Sequence, residues 1–235
     1  MTVPEHVLSA FQLGGLVPTP AGPQWDNGAR FGRIVVSPAG PTSAWAAKVR
    51  EGLSMTGLRV ARPVRATDGR FVVGGFRASE FAEGKPASRV DEAIAAALVF
   101  DAAMAGAPAL GVERTDAWAE AERTAWRGAQ VPGPTQVAHA DFLFTCIFSG
   151  SLPPTLTEIV PTAEERPVGY TAALALVDGL LTRSVDDRVI ARWAHVPNIQ
   201  ELSLRALDYR QALVERVASN IGSELSRVRR LLVSD

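Results

Sequence analysis

Near residue 84 the chain changes its periodicity, and no other feature limits its fold as strongly. Before that point, short runs of β-branched and aromatic residues are separated by turn signals; after it, alanine-rich stretches repeat their apolar residues at helical spacing. This predicts an α+β chain in two parts: a small β-rich N-terminal lobe over residues 1–83 and a mostly helical C-terminal lobe over 84–235. A length of 235 residues is ample for one large domain or two small lobes with a sizeable core.

In the front part, Pro4–Gln12 reads as a short helix, with Pro4 in its first turn, Val7, Leu8 and Phe11 on one face and Gly14-Gly15 as its stop. A Pro/Gly-rich passage, LVPTPAGPQWDNG, carries a two-residue hairpin signal at Asn27-Gly28. ARFGRIVVS reads as one strand, and Ser43 as the cap of a helix over 44–54 in which Trp45, Val49 and Leu53 share a face. LRVARPVRA and RFVVGGF then read as two strands of a hairpin turning at Thr67-Asp68-Gly69. In the rear part, Ser88 and Asp91 form a capping box for the helix VDEAIAAALVFDAAM, and Asp116–Trp126 is a second helix. Pro132-Gly133-Pro134 breaks the chain before QVAHADFLFTCIF, which reads as strand, loop, strand, and TLTEIV adds another strand. Helices are expected over about 168–182, 186–195, 199–217 and 221–233. No internal repeat and no low-complexity tail occurs.

Charge and special residues narrow the function classes. The net charge of −1 argues against nucleic acid as a partner. One cysteine, Cys146, cannot form an intrachain disulfide and suits a reducing cytoplasm. The N-terminal segment carries Glu5 and His6 where a signal peptide has positive charge, and the apolar run Val168–Leu181 is interrupted by Asp178 and is shorter than the roughly 20 residues of a membrane span, so a soluble cytoplasmic protein with no membrane contact is expected. Residues 24–90 hold 11 basic and 5 acidic side chains, whereas 91–150 hold 3 basic and 8 acidic. Such a division would suit a cleft for a phosphorylated or cationic ligand, but charge runs are usually solvated faces, and Arg59, Arg62, Arg65 and Arg70 read first as solvated residues around a hairpin. Of the 24 basic residues only Lys48 and Lys85 are lysines, which confines any lysine chemistry to two positions.

The stretch HADFLFTCIF at 139–148 carries the chemistry. A lone His-x-Asp is a weak signal, but here it follows an apolar segment, passes through a short loop and leaves through a second apolar strand; a turn then leads to Glu158. Two carboxylates at adjacent strand ends, Asp141 and Glu158, are what phosphoryl transfer requires: one to orient or deprotonate an acceptor hydroxyl, one to hold the metal on the phosphates. With histidines only at 6, 139 and 195, no hydrolytic triad or zinc cluster is indicated.

HADFLFTCIFSGSLPPTLTEIV resembles the Brenner-box region of aminoglycoside phosphotransferases and choline kinases, and the chain is similar over most of its length to an uncharacterised actinobacterial family in that group with a degenerate box, through PEHVLSAF and ARPVRATDGRFVVGGFRA. The resemblance implies a two-lobed protein-kinase-like fold and possible use of ATP and Mg2+. It places Asp141 on the catalytic aspartate, His139 on the structural box histidine, and Asp178 on a helical aspartate that braces the catalytic-loop backbone. Glu158 falls where the second metal-binding aspartate belongs. Cys146 falls on the metal-binding asparagine, and a thiol is a poor ligand for Mg2+. The strand lysine that holds the nucleotide phosphates is replaced by Ser37, and no G-x-G-x-x-G precedes it; Asn27 and Gly28 remain as backbone N–H donors for a nucleotide, and Arg33 or Arg62 as substitutes for the lysine.

Three readings follow. One is a kinase-like pseudoenzyme, catalytically weak or inactive, that binds a nucleotide, a small metabolite or a protein. The second is an active ATP- and Mg-dependent phosphotransferase on a small hydroxylated acceptor, with Asp141 as base and Glu158 on the metal. The third is a non-enzymatic interaction module whose basic front part contacts an acidic partner.

Overall fold

A computed structural model describes residues 1–217 and 221–233. Its first helix, α1 (Glu5–Ala10), begins directly after Pro4, whose preset φ and missing N–H suit that position. The β-rich part then runs β1 (Thr19–Pro20), one turn of 3-10 helix (Pro23–Trp25), β2 (Ala29–Phe31), β3 (Ile34–Pro38), α2 (Ser43–Gly52), β4 (Arg59–Val60), β5 (Pro63–Val64), β6 (Val72–Val73) and β7 (Phe76–Glu80). Six of these strands form one antiparallel sheet in the order β1-β2-β3-β7-β5, with β6 also on β7. Val7 and Phe11 of the first helical turns pack with Val36, Ala78 and Phe31 to form its core.

The strands are cut more finely than the sequence suggests. ARFGRIVVS is two strands, folded back at Gly32 (φ 60°) so that Phe31 faces Ile34. LRVARPVRA is split as well. β4 leaves the large sheet, while β5 pairs with β7 rather than with β6. Pro63 offers no N–H to a ladder, which confines it to an edge. Asp68-Gly69 does turn the chain, with Gly69 N–H donating to Ala66 O at 2.8 Å, but the tight hairpin lies at Gly74-Gly75, both with positive φ. Ser43 is the first residue of α2 and not its cap; its Oγ accepts the Gly40 N–H at 2.9 Å.

The rear part runs α3 (Val90–Ala103), α4 (Ala117–Trp126), β8 (Thr135–Gln136), α5 (Phe142–Thr145), β9 (Cys146–Ile147), β10 (Thr155–Leu156), β11 (Arg166–Pro167), α6 (Tyr170–Leu181), α7 (Val189–Trp193), α8 (Ile199–Val217) and α9 (Gly222–Val233). Asp116 caps α4, accepting the N–H groups of Trp118 and Ala119 at 3.1 Å. The capping box expected for α3 does not form. Arg89 occupies its N-cap, and Asp91 is taken instead by Arg192 and the Trp193 indole N–H. Nearly all of α6 is buried, and it packs against α3, α8 and α9, which accounts for its apolar character on every face.

The chain divides into two compact units, Met1–Pro86 with Phe144–Val160, and Ala87–Leu143 with Pro161–Asp235. The segment 144–160 therefore belongs with the β-rich unit and not with the helices expected to hold it. The reason is backbone pairing: β10 lies parallel to β4 and antiparallel to β9, and Lys85 bridges Phe148. Among the described residues no helix is long and apolar enough to cross a membrane.

Candidate functional site

The loop 139–141 lies in the helical unit. Its histidine is fully buried between the rings of Phe100 and Phe142, at centroid distances of 5.7 and 5.4 Å. Nδ1 of His139 accepts the Asp141 N–H at 3.1 Å, so the imidazole fixes the backbone two residues on. The His139 N–H donates to Thr171 Oγ1 at 3.0 Å, and that hydroxyl donates to Asp101 Oδ1 at 2.5 Å. Asp101, on α3, also accepts the Gly169 N–H at 2.9 Å. Burial pushes the Asp101 carboxyl up to about 7, with the hydrogen bonds from Thr171 and Gly169 pulling the other way.

Asp178 reaches the loop through an intermediary. Its carboxylate takes a two-point bond from Arg210 of α8, at 2.7 and 2.6 Å, and Arg210 Nη2 donates to Ala140 O at 2.9 Å. The same Nη2 stands 3.6 Å from Asp141 Oδ1. Burial works against the Arg210 charge, yet the attraction of Asp178 and Asp141 outweighs it and pushes the guanidinium up. Asp141 keeps 27% of its side chain exposed, so water or a ligand can reach it. Thr171 and Arg210 are the two positioning residues that sequence reading missed. Thr171 lies in an apolar helix with no motif around it, and Arg210 is one arginine among many.

Glu158 lies in the β-rich unit, and the structure surrounds it with cations. Arg50 of α2 approaches Oε1 and Oε2 at 3.3 Å each, Arg77 of β7 binds Oε2 through Nε, and the Ile159 N–H donates to Oε1 at 2.9 Å. Burial raises the cost of the Glu158 charge, but Arg50 and Arg77 together hold the carboxyl below its usual range. Arg50 is wholly buried and also donates to Ala61 O, Ser79 Oγ and Thr157 O at 3.0, 3.2 and 2.9 Å. A divalent cation needs oxygen donors facing it with room for its waters; here two guanidinium groups hold both carboxylate oxygens, so the surroundings of Glu158 do not fit Mg2+. Cys146 is fully buried in β9, and among the described residues no group of three or more His, Cys, Asp or Glu side chains could hold a metal.

The loop between β1 and β2 is pressed onto the sheet in the same unit. Ser37 Oγ donates to Trp25 O at 2.8 Å, Thr157 Oγ1 donates to Gln24 O at 2.7 Å, and Arg77 Nη2 binds the Asp26 carboxylate. Gly28 has no room for a side chain: a Cβ there would stand 2.5 Å from Ser37 Oγ and 2.6 Å from Val36 O. The backbone donors expected from Asn27 and Gly28 are already used, toward Gly22 O at 3.0 Å and Trp25 O at 2.9 Å. They do not point to a ligand, because the turn closes on itself through left-handed Asp26 and Asn27. The arginine beside Ser37 is Arg77, its direct partner on β7, rather than Arg33 or Arg62; the Arg62 guanidinium donates to Glu51 O at 3.2 Å. Arg65 and Arg70 pair with Glu51 and Asp68 on the exposed surface, as solvated hairpin residues do.

No family model matches the chain, and no curated protein matches it. Among solved structures, the aminoglycoside phosphotransferase from Alicyclobacillus acidocaldarius subsp. acidocaldarius DSM 446 is similar with a TM-score of 0.52 at 14% sequence identity, over 99% of this chain and 97% of that one. At that identity the likeness is one of fold, and the chain has a mixed α+β fold like that of this phosphotransferase.

Proposed function

We propose that this protein is a kinase-like, phosphotransferase-derived protein that binds ligands but transfers phosphate weakly or not at all. The observation that carries the reading is Glu158: the position where the fold's second metal carboxylate is expected is neutralised by Arg50 and Arg77. Removing one preorganised charge-stabilising group lowers kcat by about 10²–10³, and a lost lysine at Ser37 and a thiol at Cys146 come on top of it, although such losses do not simply add. The loop between β1 and β2 is fastened to the sheet by Ser37, Thr157 and Arg77, and its Asn27 and Gly28 N–H groups are taken by the turn itself, which weakens the grip expected on ATP phosphates. Function then resides in binding a nucleotide, a small metabolite or a protein, and not in turnover.

The test is turnover of Mg·ATP by purified protein, with and without Asp141→Ala. Turnover at background in both is expected. A rate near about one per second, the lower end for kinases, that is abolished by Asp141→Ala would overturn the proposal.

One observation favours the alternative of an active phosphotransferase on a small hydroxylated acceptor. Asp141 is partly exposed, and its loop is braced by His139, Thr171 and Arg210, as a working base would require. Stabilisation by ATP that depends on Mg2+ would support this reading.

A further inference from the structure

The charge count around Glu158 does not close without the loop. Arg50 and Arg77 are two buried guanidinium groups that repel each other, and they share one buried carboxylate, Glu158. The second negative charge comes from Asp26, bound to Arg77 Nη2. Asp26 differs from its partners in being 57% exposed, and it sits on a turn that places both it and Asn27 in left-handed backbone, which L residues other than Gly, Asn and Asp avoid. The turn is held against the sheet by the ion pair and by the bonds from Ser37 and Thr157. The side chain of Arg77 is only 8% exposed, whereas the Asp26 carboxylate bound to it is largely open to solvent.

We propose that Arg77 is a latent binding site for a small oxyanion, a phosphate or phosphoryl group, and that Asp26 occupies it in cis as a built-in counter-ion. When the loop lifts, Arg77 keeps Nε on Glu158 and Nη1 on Pro38 O, while Nη2 loses its carboxylate partner, and a charged guanidinium N–H donor freed in this way is matched to an oxyanion oxygen. The charge count stands independently of the proposed loss of catalysis; the choice of phosphate as the anion rests on that reading.

The experiment compares thermal midpoints of wild type, Asp26→Ala and Asp26→Asn in sodium phosphate, in sodium pyrophosphate and in sodium chloride of equal ionic strength. Asp26→Asn keeps the side chain's shape and its tolerance of left-handed backbone, so it covers the case in which Asp26→Ala folds poorly. In both variants the phosphate salts are expected to raise the midpoint by about 3 °C or more over chloride, against under about 1 °C in wild type. Adding Arg77→Met to Asp26→Asn is expected to remove the response. Equal responses in wild type and variants, no response in the variants, or a response that survives Arg77→Met overturns the proposal. Turnover that depends on Asp141 would defeat the proposed loss of catalysis and leave this anion response unaffected, so the two failures are distinguishable.

Discussion

Glu158 is the residue on which sequence and structure part most sharply. Its place after an apolar strand suggests a metal ligand, and its neighbours make it the counter-ion of Arg50 and Arg77. Nothing near Arg50 or Arg77 in the sequence predicts this, because their meeting with Glu158 is made across more than 80 residues of chain. Breaking a buried ion pair by removing one partner costs about 3–5 kcal/mol; Glu158→Gln is therefore expected to lower the unfolding free energy by that amount in urea titrations at pH 7, while Mg2+ leaves wild-type stability unchanged. The pH dependence has the matching sign. With its folded-state value held low, Glu158 contributes stability that is present above about pH 4.5 and is lost as pH falls. Asp101 runs the other way. Its carboxyl is raised from 3.8 to about 7, so its protonated form suits the fold, and the stability it contributes is full below about pH 4 and is lost as pH rises through 7. The stability difference between wild type and Asp101→Asn, followed by urea midpoints from pH 4 to 8, is expected to move against wild type as pH rises. A flat difference would mean that Asp101 keeps one charge state throughout.

At the scale of elements, the long helices were legible and the short strands were not. Apolar residues at i, i+3 and i+4 over 12 or more residues leave little ambiguity, and the expected 199–217 helix coincides with α8. A two-residue strand has no period of its own, and its partner is chosen by what else needs covering. β5 prefers β7 to β6, and β4 joins β10 from a distant part of the chain. Close approach between helices is equally invisible in one sequence. Gly179, in the last turn of α6, reads as a weak point in a helix, since glycine costs up to roughly 1 kcal/mol relative to alanine. The structure gives it a use: a Cβ at that site would stand 2.5 and 3.0 Å from the two γ-methyls of Val90 on α3 and 3.2 Å from Val185. Val90 is β-branched and cannot turn away cheaply. Gly179→Ala is therefore expected to destabilise by about 1–3 kcal/mol despite its better helix propensity, as overpacking does. Chemical denaturation decides the sign, and a stabilised variant would show that α3 and α6 can separate without loss.

For the molecule as a whole, a change of periodicity along the chain cannot reveal that the β-rich unit is assembled from two pieces, Met1–Pro86 and Phe144–Val160. Segment 144–160 supplies β9 and β10, and with them Thr157 O and Glu158, both of which Arg50 uses. The HADFLFTCIF stretch is divided accordingly: His139 and Asp141 belong to the helical unit and Cys146 to the β-rich one. This division has a consequence for truncation. A lobe ending at residue 83 or 86 would retain Arg50 buried at 0% exposure in the full chain, with neither its carboxylate nor one of its carbonyl acceptors, and would leave β4 as an unpaired edge. A fragment of residues 1–86 is thus expected to lack a cooperative thermal transition and dispersed amide resonances, and the full chain to show both. Joining residues 144–160 to that fragment through a flexible linker is expected to restore the transition, and putting Glu158→Gln into the joined fragment to weaken it again. A cooperatively folded 1–86 fragment would mean that the sheet β1-β2-β3-β7-β5 and its core around Val7 and Val36 suffice by themselves, and that the Arg50–Glu158 pair adds to a unit already complete.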